Sequence, residues 1–143
     1  MYETYLMQFL LFWSKLINER NICMKIELLK EKNVDIALVS SDEKVVVDTQ
    51  SALDLVMTVK YETGTNKIIM DKRNLSDEFF ILSNGMAGEI LQKFINYHIK
   101  IAIYGDYSMH TSKPLKDFIY ESNKGKDVFF VSTLDKAVEM LTQ

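Results

Sequence analysis

The sequence has few of the residues on which disulfide and metal chemistry depend. Among its 143 residues are one cysteine, two histidines and one proline. One cysteine cannot form an internal disulfide, and Cys23 has no companion at CxxC spacing. Two histidines also disfavour a metal site, and we expect no cofactor. The single thiol favours a reducing compartment, which we expect to be the cytoplasm.

The sequence also has no large excess of positive or negative charge. The chain carries 17 lysine and arginine residues against 20 aspartate and glutamate residues, for a formal net charge of -3 at pH 7. Nucleic-acid-binding domains usually have a basic patch or a high isoelectric point. Here the lysines are dispersed among acidic residues, so the sequence predicts no nucleic-acid partner. The apolar fraction of 48% is typical of a globular protein with one core.

No apolar run is long enough to span a membrane, so we predict no transmembrane segment. Residues 1–13 are mostly apolar, but Ser14 and Lys15 end the run well short of the roughly 20 residues that a bilayer requires. A signal peptide is disfavoured because no basic region precedes the run and no small-residue cleavage site follows it. We expect residues 1–23 to form an N-terminal apolar helical extension.

Two interpretations of this extension stay open. It is either an appended leader before a domain that begins at Met24, or a docking helix with a function of its own. In the second case residues 5–17 would present an apolar face that needs cover. A second copy of the chain could supply that cover, which gives a homodimer hypothesis.

The remaining residues, 24–143, are predicted to form a single α/β domain, since no linker or repeat divides them. Residues 25–40 read as two strands joined by a tight turn near Lys32 and Asn33. Strands and helices then alternate, which predicts a mostly parallel sheet with helices packed against it, preceded by an N-terminal β-hairpin. The later strands are expected at 67–70, 100–104 and 127–131.

Several residues mark where the predicted helices begin and end. Asp48 is a candidate N-cap and Gly64 a natural stop for the first helix. Ser132 and Asp135 have capping-box spacing before the last helix. His98 falls at the end of the apolar stripe that begins at residue 87, where the negative end of a helix favours a cation.

Polar side chains concentrate in three loops of this layout. In open α/β sheets, ligands and partners meet the loops at the carboxyl ends of strands. We therefore predict that these loops form a surface that binds a partner or a ligand. Its predicted members are Asp71, Lys72 and Arg73 after one strand, Ser83, Asn84 and Gly85 before the long helix, and Gly105, Asp106, Tyr107, Ser108, His110, Ser112 and Lys113 after the next strand.

No catalytic set completes these loops. Asp106 and His110 have the chemistry of an acid–base pair, but no serine or cysteine lies in a recognisable nucleophile elbow. The glycines at 85 and 88 match neither the dinucleotide fingerprint nor a P-loop. A helix starting there favours an anion, whereas the plainer interpretation is that the glycines serve packing and that Ser83 or Asn84 is a cap.

Aromatic residues also gather near the last of these loops. Tyr104, Tyr107, Phe118 and Tyr120 lie in the strand before it, in the loop itself and in the helix after it. Most of them are expected in the core. Any that is exposed would be a natural anchor for a protein partner, because aromatic residues are enriched at binding hot spots.

From about Met24 to Leu141 the sequence resembles a bacterial family called domain of unknown function 4180. The resemblance is carried by the segments YETGTNKIIMDK, NGMAGEILQKFINY, KIAIYGDYS and SKPLKDFIYESNKG. It covers nearly the whole predicted domain, but the family name implies no function.

The layout also resembles the STAS domain of anti-sigma-factor antagonists. In that family a hairpin and a helix precede a strand that ends in an acid, and a turn with glycine then starts a helix. Asp71 and residues 82–86 take those places here, and residues 134–137 match the start of the last STAS helix. The resemblance implies a regulatory module that binds a kinase or sensor and is switched by phosphorylation directly before the glycine. That position is Asn84, which cannot accept phosphate, so Ser83 is the phosphorylation candidate.

The leading hypothesis is therefore a non-catalytic, STAS-like regulatory module that binds a protein partner through the three loops. The alternative is a protein or enzyme that binds a small anionic metabolite or nucleotide at the carboxyl ends of the strands. In that case Lys72, Arg73 and Lys113 would hold the anion.

Overall fold

A computed structural model describes residues 23–143. Apart from Cys23, the predicted extension at residues 1–23, with its docking helix at 5–17 and the homodimer inferred from it, lies outside the described residues. Within 23–143, none of the helices combines the length and the apolar character that a bilayer crossing requires.

The described chain is an α/β domain built on one five-stranded sheet. The strands lie in the order β1-β2-β3-β4-β5. β1 and β2 pair antiparallel and the other neighbours pair parallel, which confirms the predicted mixed sheet with its N-terminal hairpin. The strands are β1 Met24–Glu31, β2 Val34–Ser41, β3 Lys67–Asp71, β4 Lys100–Tyr104 and β5 Val128–Val131.

The hairpin turn lies where the sequence predicts it. Lys32 and Asn33 form a two-residue loop and both have positive φ, at 51° and 63°. Two consecutive left-handed residues are the mark of a type I′ turn, whose twist matches the twist of paired strands. This turn sets the register in which Glu31 pairs with Val34.

Four α-helices follow in the described chain: α1 Thr49–Thr63, α2 Met86–Asn96, α3 Lys113–Lys124 and α4 Leu134–Leu141. The predicted limits of α1 are confirmed. The Asp48 side chain accepts a 2.7 Å hydrogen bond from the Ser51 N–H, and Gly64 ends the helix in the left-handed conformation at φ 72°. Only glycine adopts that conformation without steric cost.

Two predicted helix ends are wrong. Thr133, not Ser132, is the N-cap of α4, since its hydroxyl accepts the Lys136 N–H at 3.1 Å. His98 lies beyond α2 with φ 58°, and its N–H donates to the Ile95 carbonyl. It is therefore a residue of the turn that closes the helix, and it is not part of the apolar stripe.

The core has two layers because successive side chains of a strand point to opposite faces of the sheet. Ile68 and Met70 of β3 join a large cluster with side chains from α1, α2 and α3. Ile69, between them, joins a smaller cluster with Ala137 and Leu141 of α4. Three helices thus cover one face of the sheet, and α4 covers part of the other.

The chain between β3 and α2 consists of three short 3₁₀ turns, at Lys72–Asn74, Asp77–Phe80 and Leu82–Asn84. Asn74 fixes this segment to the chain after β2. Its side-chain amide donates to the carbonyls of Ser41 and Glu43, and its own carbonyl accepts the N–H groups of Val45 and Val46. Asn74 is buried, so this network holds the exit from β3 in one conformation.

Candidate functional site

The sheet separates the predicted surface into two environments. Asp71 is in register with Tyr104, and Tyr104 packs with the cluster on the α4 side. Lys72, the next residue, contacts Tyr107, which packs with the cluster on the opposite side. Asp71 and Lys72, neighbours at the end of β3, therefore lie on different faces of the sheet, and their side chains do not converge on one point.

Lys72 fastens the loop after β4 to the loop after β3. Its Nζ donates a 2.8 Å hydrogen bond to the carbonyl of Asp106. The same ammonium lies 5.5 Å from the ring centre of Phe80 and 5.3 Å from that of Tyr107, within the range of cation–π attraction. A β-carbon at Gly105 would lie 2.7 Å from the Lys72 Cβ, so only glycine allows this approach.

The start of the β4–α3 loop is ordered by its own hydrogen bonds. The Tyr107 hydroxyl donates to the Ile103 carbonyl at 2.8 Å, and burial raises the pKa of Tyr107, so the hydroxyl keeps its proton. The Asp106 carboxylate accepts the Ser108 N–H at 2.9 Å, and this bond holds the pKa of Asp106 below its ordinary value. Both interactions hold the start of this loop in place.

His110 closes this cluster. Its ring stacks on Phe80 at a centroid distance of 4.6 Å, and its backbone N–H donates to the Tyr107 carbonyl. The Nε2 atom is buried and has no hydrogen-bond partner among the described residues. Burial lowers the pKa of His110 and the nearby Lys72 charge lowers it further, so the ring is neutral at pH 7.

The contacts of Asp106 and His110 do not match the acid–base chemistry considered for these two residues. In residues 23–143, no hydrogen bond joins Asp106 to His110, because the Asp106 carboxylate is turned to the Ser108 N–H. The His110 ring instead makes an aromatic contact with Phe80. Both residues hold the loop in place.

Asp71 and Arg73 form a compact ion pair on the α4 side. The Asp71 carboxylate accepts the Arg73 N–H at 2.8 Å and two guanidinium bonds at 3.1 and 2.9 Å. Burial raises the pKa of Asp71, but the hydrogen bonds and charge of Arg73 outweigh it and leave the pKa below its ordinary value. The pair lines an open groove of about 370 Å³ with Tyr104 and Cys23.

The loop before α2 is separate from both environments. Asn84 accepts the Met86 N–H at 2.8 Å and donates to the Glu78 carbonyl at 3.0 Å, and Gly85 has φ 77°. Gly85 is the N-cap residue of α2, so the interpretation of Ser83 or Asn84 as the N-cap is wrong, and Asn84 orders the turn before the helix instead. Ser83 is exposed. Across the described chain, no hydrogen bond or ring contact connects Ser83, Asn84 or Gly85 with the loop after β4.

Ser112 and Lys113 belong to the first turn of α3. The Ser112 carbonyl accepts the Lys116 N–H at 3.0 Å. The Lys113 ammonium bonds the Asp117 carboxylate at 2.7 Å along the helix surface, and this contact raises the pKa of Lys113. Of the predicted residues, the structure brings together Lys72, Gly105, Asp106, Tyr107 and His110. It leaves the α2 loop, Lys113 and the Asp71–Arg73 pair apart from them.

An exposed apolar surface adjoins this cluster. Met109 and Tyr120 are 83% and 62% exposed, the two highest values among the large apolar side chains of the described chain. Met109 lies between Ser108 and His110, which line a groove of about 400 Å³ beside α3. We call Met109, Tyr120 and this groove the β4–α3 surface. The groove is lined by Tyr107, Ser108, His110, Lys116, Ile119, Tyr120 and Asn123.

The sequence pointed to part of this surface. Tyr120 stands among the aromatic residues considered as anchors, and its exposure singles it out. Met109 and Phe80 were missed. Met109 is an apolar residue in an otherwise polar loop, which is a usable signal, whereas nothing local to Phe80 indicates that it meets His110, 30 positions further along the chain.

Comparison with known proteins gives a family and no activity. The family model described as "Domain of unknown function (DUF4180)" matches residues 31–141. No curated protein is significantly similar to the chain.

Proposed function

The chain belongs to the DUF4180 family, and from the geometry around residues 105–120 we propose that its domain is a non-catalytic module that binds a protein partner. The observation that carries the proposal is the exposure of Met109, in a loop that is otherwise fixed to the scaffold, and of Tyr120, in the helix α3 that follows this loop. Tyrosine is enriched at hot spots and methionine adapts to varied surfaces. A loop that is already ordered also loses less entropy on binding.

The state of the nearby cations supports a protein partner over a small anion. Lys72 donates to the Asp106 carbonyl, Arg73 is bidentate on Asp71, and Lys113 pairs with Asp117. An anionic ligand would share each of these cations with a partner that is already bound to it. Exposed apolar side chains beside a groove instead suit a partner that buries apolar surface.

A regulatory role is the second part of the proposal and rests on the STAS resemblance. Ser83 is exposed at the turn before α2, so a kinase could reach its hydroxyl. A phosphate would add about two negative charges there. Intact-mass spectrometry of the protein purified from its own cells tests this part, and a Ser83→Ala variant shows whether any added phosphate is on that residue. The cytoplasmic location stays a prediction.

The main test is affinity capture from an extract of the source organism with the full chain as bait. A Met109→Ser, Tyr120→Ser double variant should lose a specifically retained protein that the native chain keeps. The matched control is Ile81→Ser, since Ile81 is 53% exposed and directly precedes the loop that carries Ser83. This control should retain the partner.

The capture experiment also distinguishes the β4–α3 surface from the loop before α2 as the binding site. Loss of the partner with Ile81→Ser, but not with the double variant, would move the binding surface to the α2 loop and overturn the proposal. A thermal-shift screen with nucleotides and phosphorylated metabolites covers the alternative function. Saturable stabilisation that disappears in a Lys113→Ala variant would favour the small-ligand reading.

A further inference from the structure

In the part of the chain that the structure describes, the first strand of the sheet has an unpaired edge. β1 lies at the end of the strand order, and among residues 23–143 only β2 pairs with it. In an antiparallel ladder every second residue of β1 turns its N–H and C=O groups away from β2. An eight-residue strand with such an edge is a template for another strand.

The side chains of β1 differ between its two faces. Met24 and Ile26 pack with the large cluster under α1–α3, and Leu28, on the same face, is 50% exposed. The opposite face carries Lys25, Glu27, Leu29 and Glu31, of which Leu29 packs with the smaller cluster. This second face therefore presents charges of both signs along the free edge.

We propose that β1 pairs antiparallel with β1 of a second copy of the chain, with Leu28 at the twofold axis. In this register the two exposed Leu28 side chains meet each other. Lys25 then lies opposite Glu31 of the second copy, and by symmetry Glu31 lies opposite Lys25 of the second copy. Opposite charges in directly facing positions stabilise paired strands.

Charge selects this register over its neighbours. If two β1 strands continue the sheet across a twofold axis, each residue must lie opposite a residue whose side chain is on the same face. The axis therefore passes through a residue of β1, and the alternative registers are those centred on neighbouring residues. Centring the pair on Glu27 would place two Glu27 carboxylates opposite each other. Centring it on Leu29 would place Glu27 opposite Glu31. Like charges in facing positions are destabilising, so only the Leu28 register of these three is free of them.

A plainer role for these charges is protection of the edge, because lysines on edge strands commonly prevent pairing. Edge protection and strand pairing place different requirements on the signs of these charges. Protection requires only that charge is present, whereas pairing requires Lys25 and Glu31 to have opposite signs. This inference does not depend on the β4–α3 surface, since β1 and that surface share no residue.

Sedimentation velocity of the full chain over a concentration series tests the pairing. The native chain should show a reversible monomer–dimer equilibrium. Lys25→Glu and Glu31→Lys should each raise the dimer dissociation constant about tenfold or more, because each places like charges opposite each other twice. Lys30→Glu is the matched control, since in this register Lys30 faces Ile26, and it should leave the dissociation constant within about threefold.

Mixing the two single variants gives the decisive result. The acidic positions of one chain then face the lysines of the other, so the mixture should form heterodimers at concentrations where each variant alone dimerises only weakly. Circular dichroism would confirm that both variants are folded. A native chain that is monomeric at every concentration would overturn the proposal and favour edge protection. A native dimer unaffected by Lys25→Glu would also overturn it and place the interface elsewhere.

Discussion

The side chain of Lys72 lies directly against the main chain of Gly105, so that a β-carbon on Gly105 would come within 2.7 Å of the Lys72 Cβ. Gly105 also has φ 157°, a conformation that other residues rarely adopt. The loops after β3 and β4 thus meet at a point with no room for a methyl group. This contact sets the position of the β4–α3 surface.

Gly105→Ala should therefore destabilise the domain. The Lys72 Cβ is fixed by its own backbone and cannot yield as the end of a flexible side chain would. We expect the free energy of unfolding, measured with urea, to fall by about 1–3 kcal/mol. Gly88→Ala is the control, since Gly88 lies in α2 with open space around it and should gain stability by about 0.5–1 kcal/mol. Equal effects of the two changes would contradict the close contact.

Replacing Lys72 by methionine should change the titration of His110. The positive charge of Lys72 adds to burial in lowering the pKa of His110. Lys72→Met keeps the length of the side chain and removes the charge, so the pKa of His110 should rise, as measured by NMR titration of the ring. Lys113→Met removes a charge that is paired with Asp117 and should leave the His110 titration unchanged. An unchanged pKa of His110 in Lys72→Met would show that the charge of Lys72 does not act on His110.

His110 should also make stability depend on pH. Its pKa in the folded chain lies below the ordinary 6.5, so near pH 6 the unfolded chain binds more protons. The free energy of unfolding should thus be constant above about pH 7 and decrease as pH falls through 6.5 toward the lower folded pKa. The positive charge of Lys72 adds to this shift, whereas the negative charges of Asp106 and Asp77 oppose it. Urea unfolding at a series of pH values should show a smaller slope for His110→Gln.

The Asp71–Arg73 pair should contribute little through its charges. Arg73 is largely exposed, and exposed ion pairs are screened by water. Asp71→Asn keeps an oxygen for the Arg73 N–H and should cost less than about 1 kcal/mol in unfolding free energy. Asp71→Ala also removes that acceptor and should cost about 1 kcal/mol more. A large loss in Asp71→Asn would mean that the ion pair is structural.

The secondary structure could be predicted largely because its signals are local. Asp48 and Gly64 act on their own backbone, and the turn at Lys32 and Asn33 needs only those two residues. One wrongly predicted helix end comes from two neighbouring residues that could each form the cap. Ser132 and Thr133 are adjacent hydroxyl residues with equal claims to cap α4, and the sequence does not separate them.

The site was predicted less well because it depends on long-range packing. The carboxyl ends of β3 and β4 do meet, as parallel pairing requires. The side of the sheet on which each loop residue packs depends on contacts such as that of Phe80 with His110. The hydrophobic periodicity of the sequence does not encode these contacts. Asn84 was predicted to belong to the binding surface because it precedes a helix, yet its side chain makes its hydrogen bonds within its own turn.

Photocrosslinking in living cells of the source organism tests directly whether the β4–α3 surface binds a protein partner. The crosslinking residue benzoylphenylalanine would replace Met109 or Tyr120, and in comparison strains Ile81 or Ile95, which are also exposed. The β4–α3 surface predicts the same crosslinked protein from positions 109 and 120, and none of it from 81 or 95. Crosslinking at 81 with none at 109 and 120, or no product at 109 and 120, would contradict it.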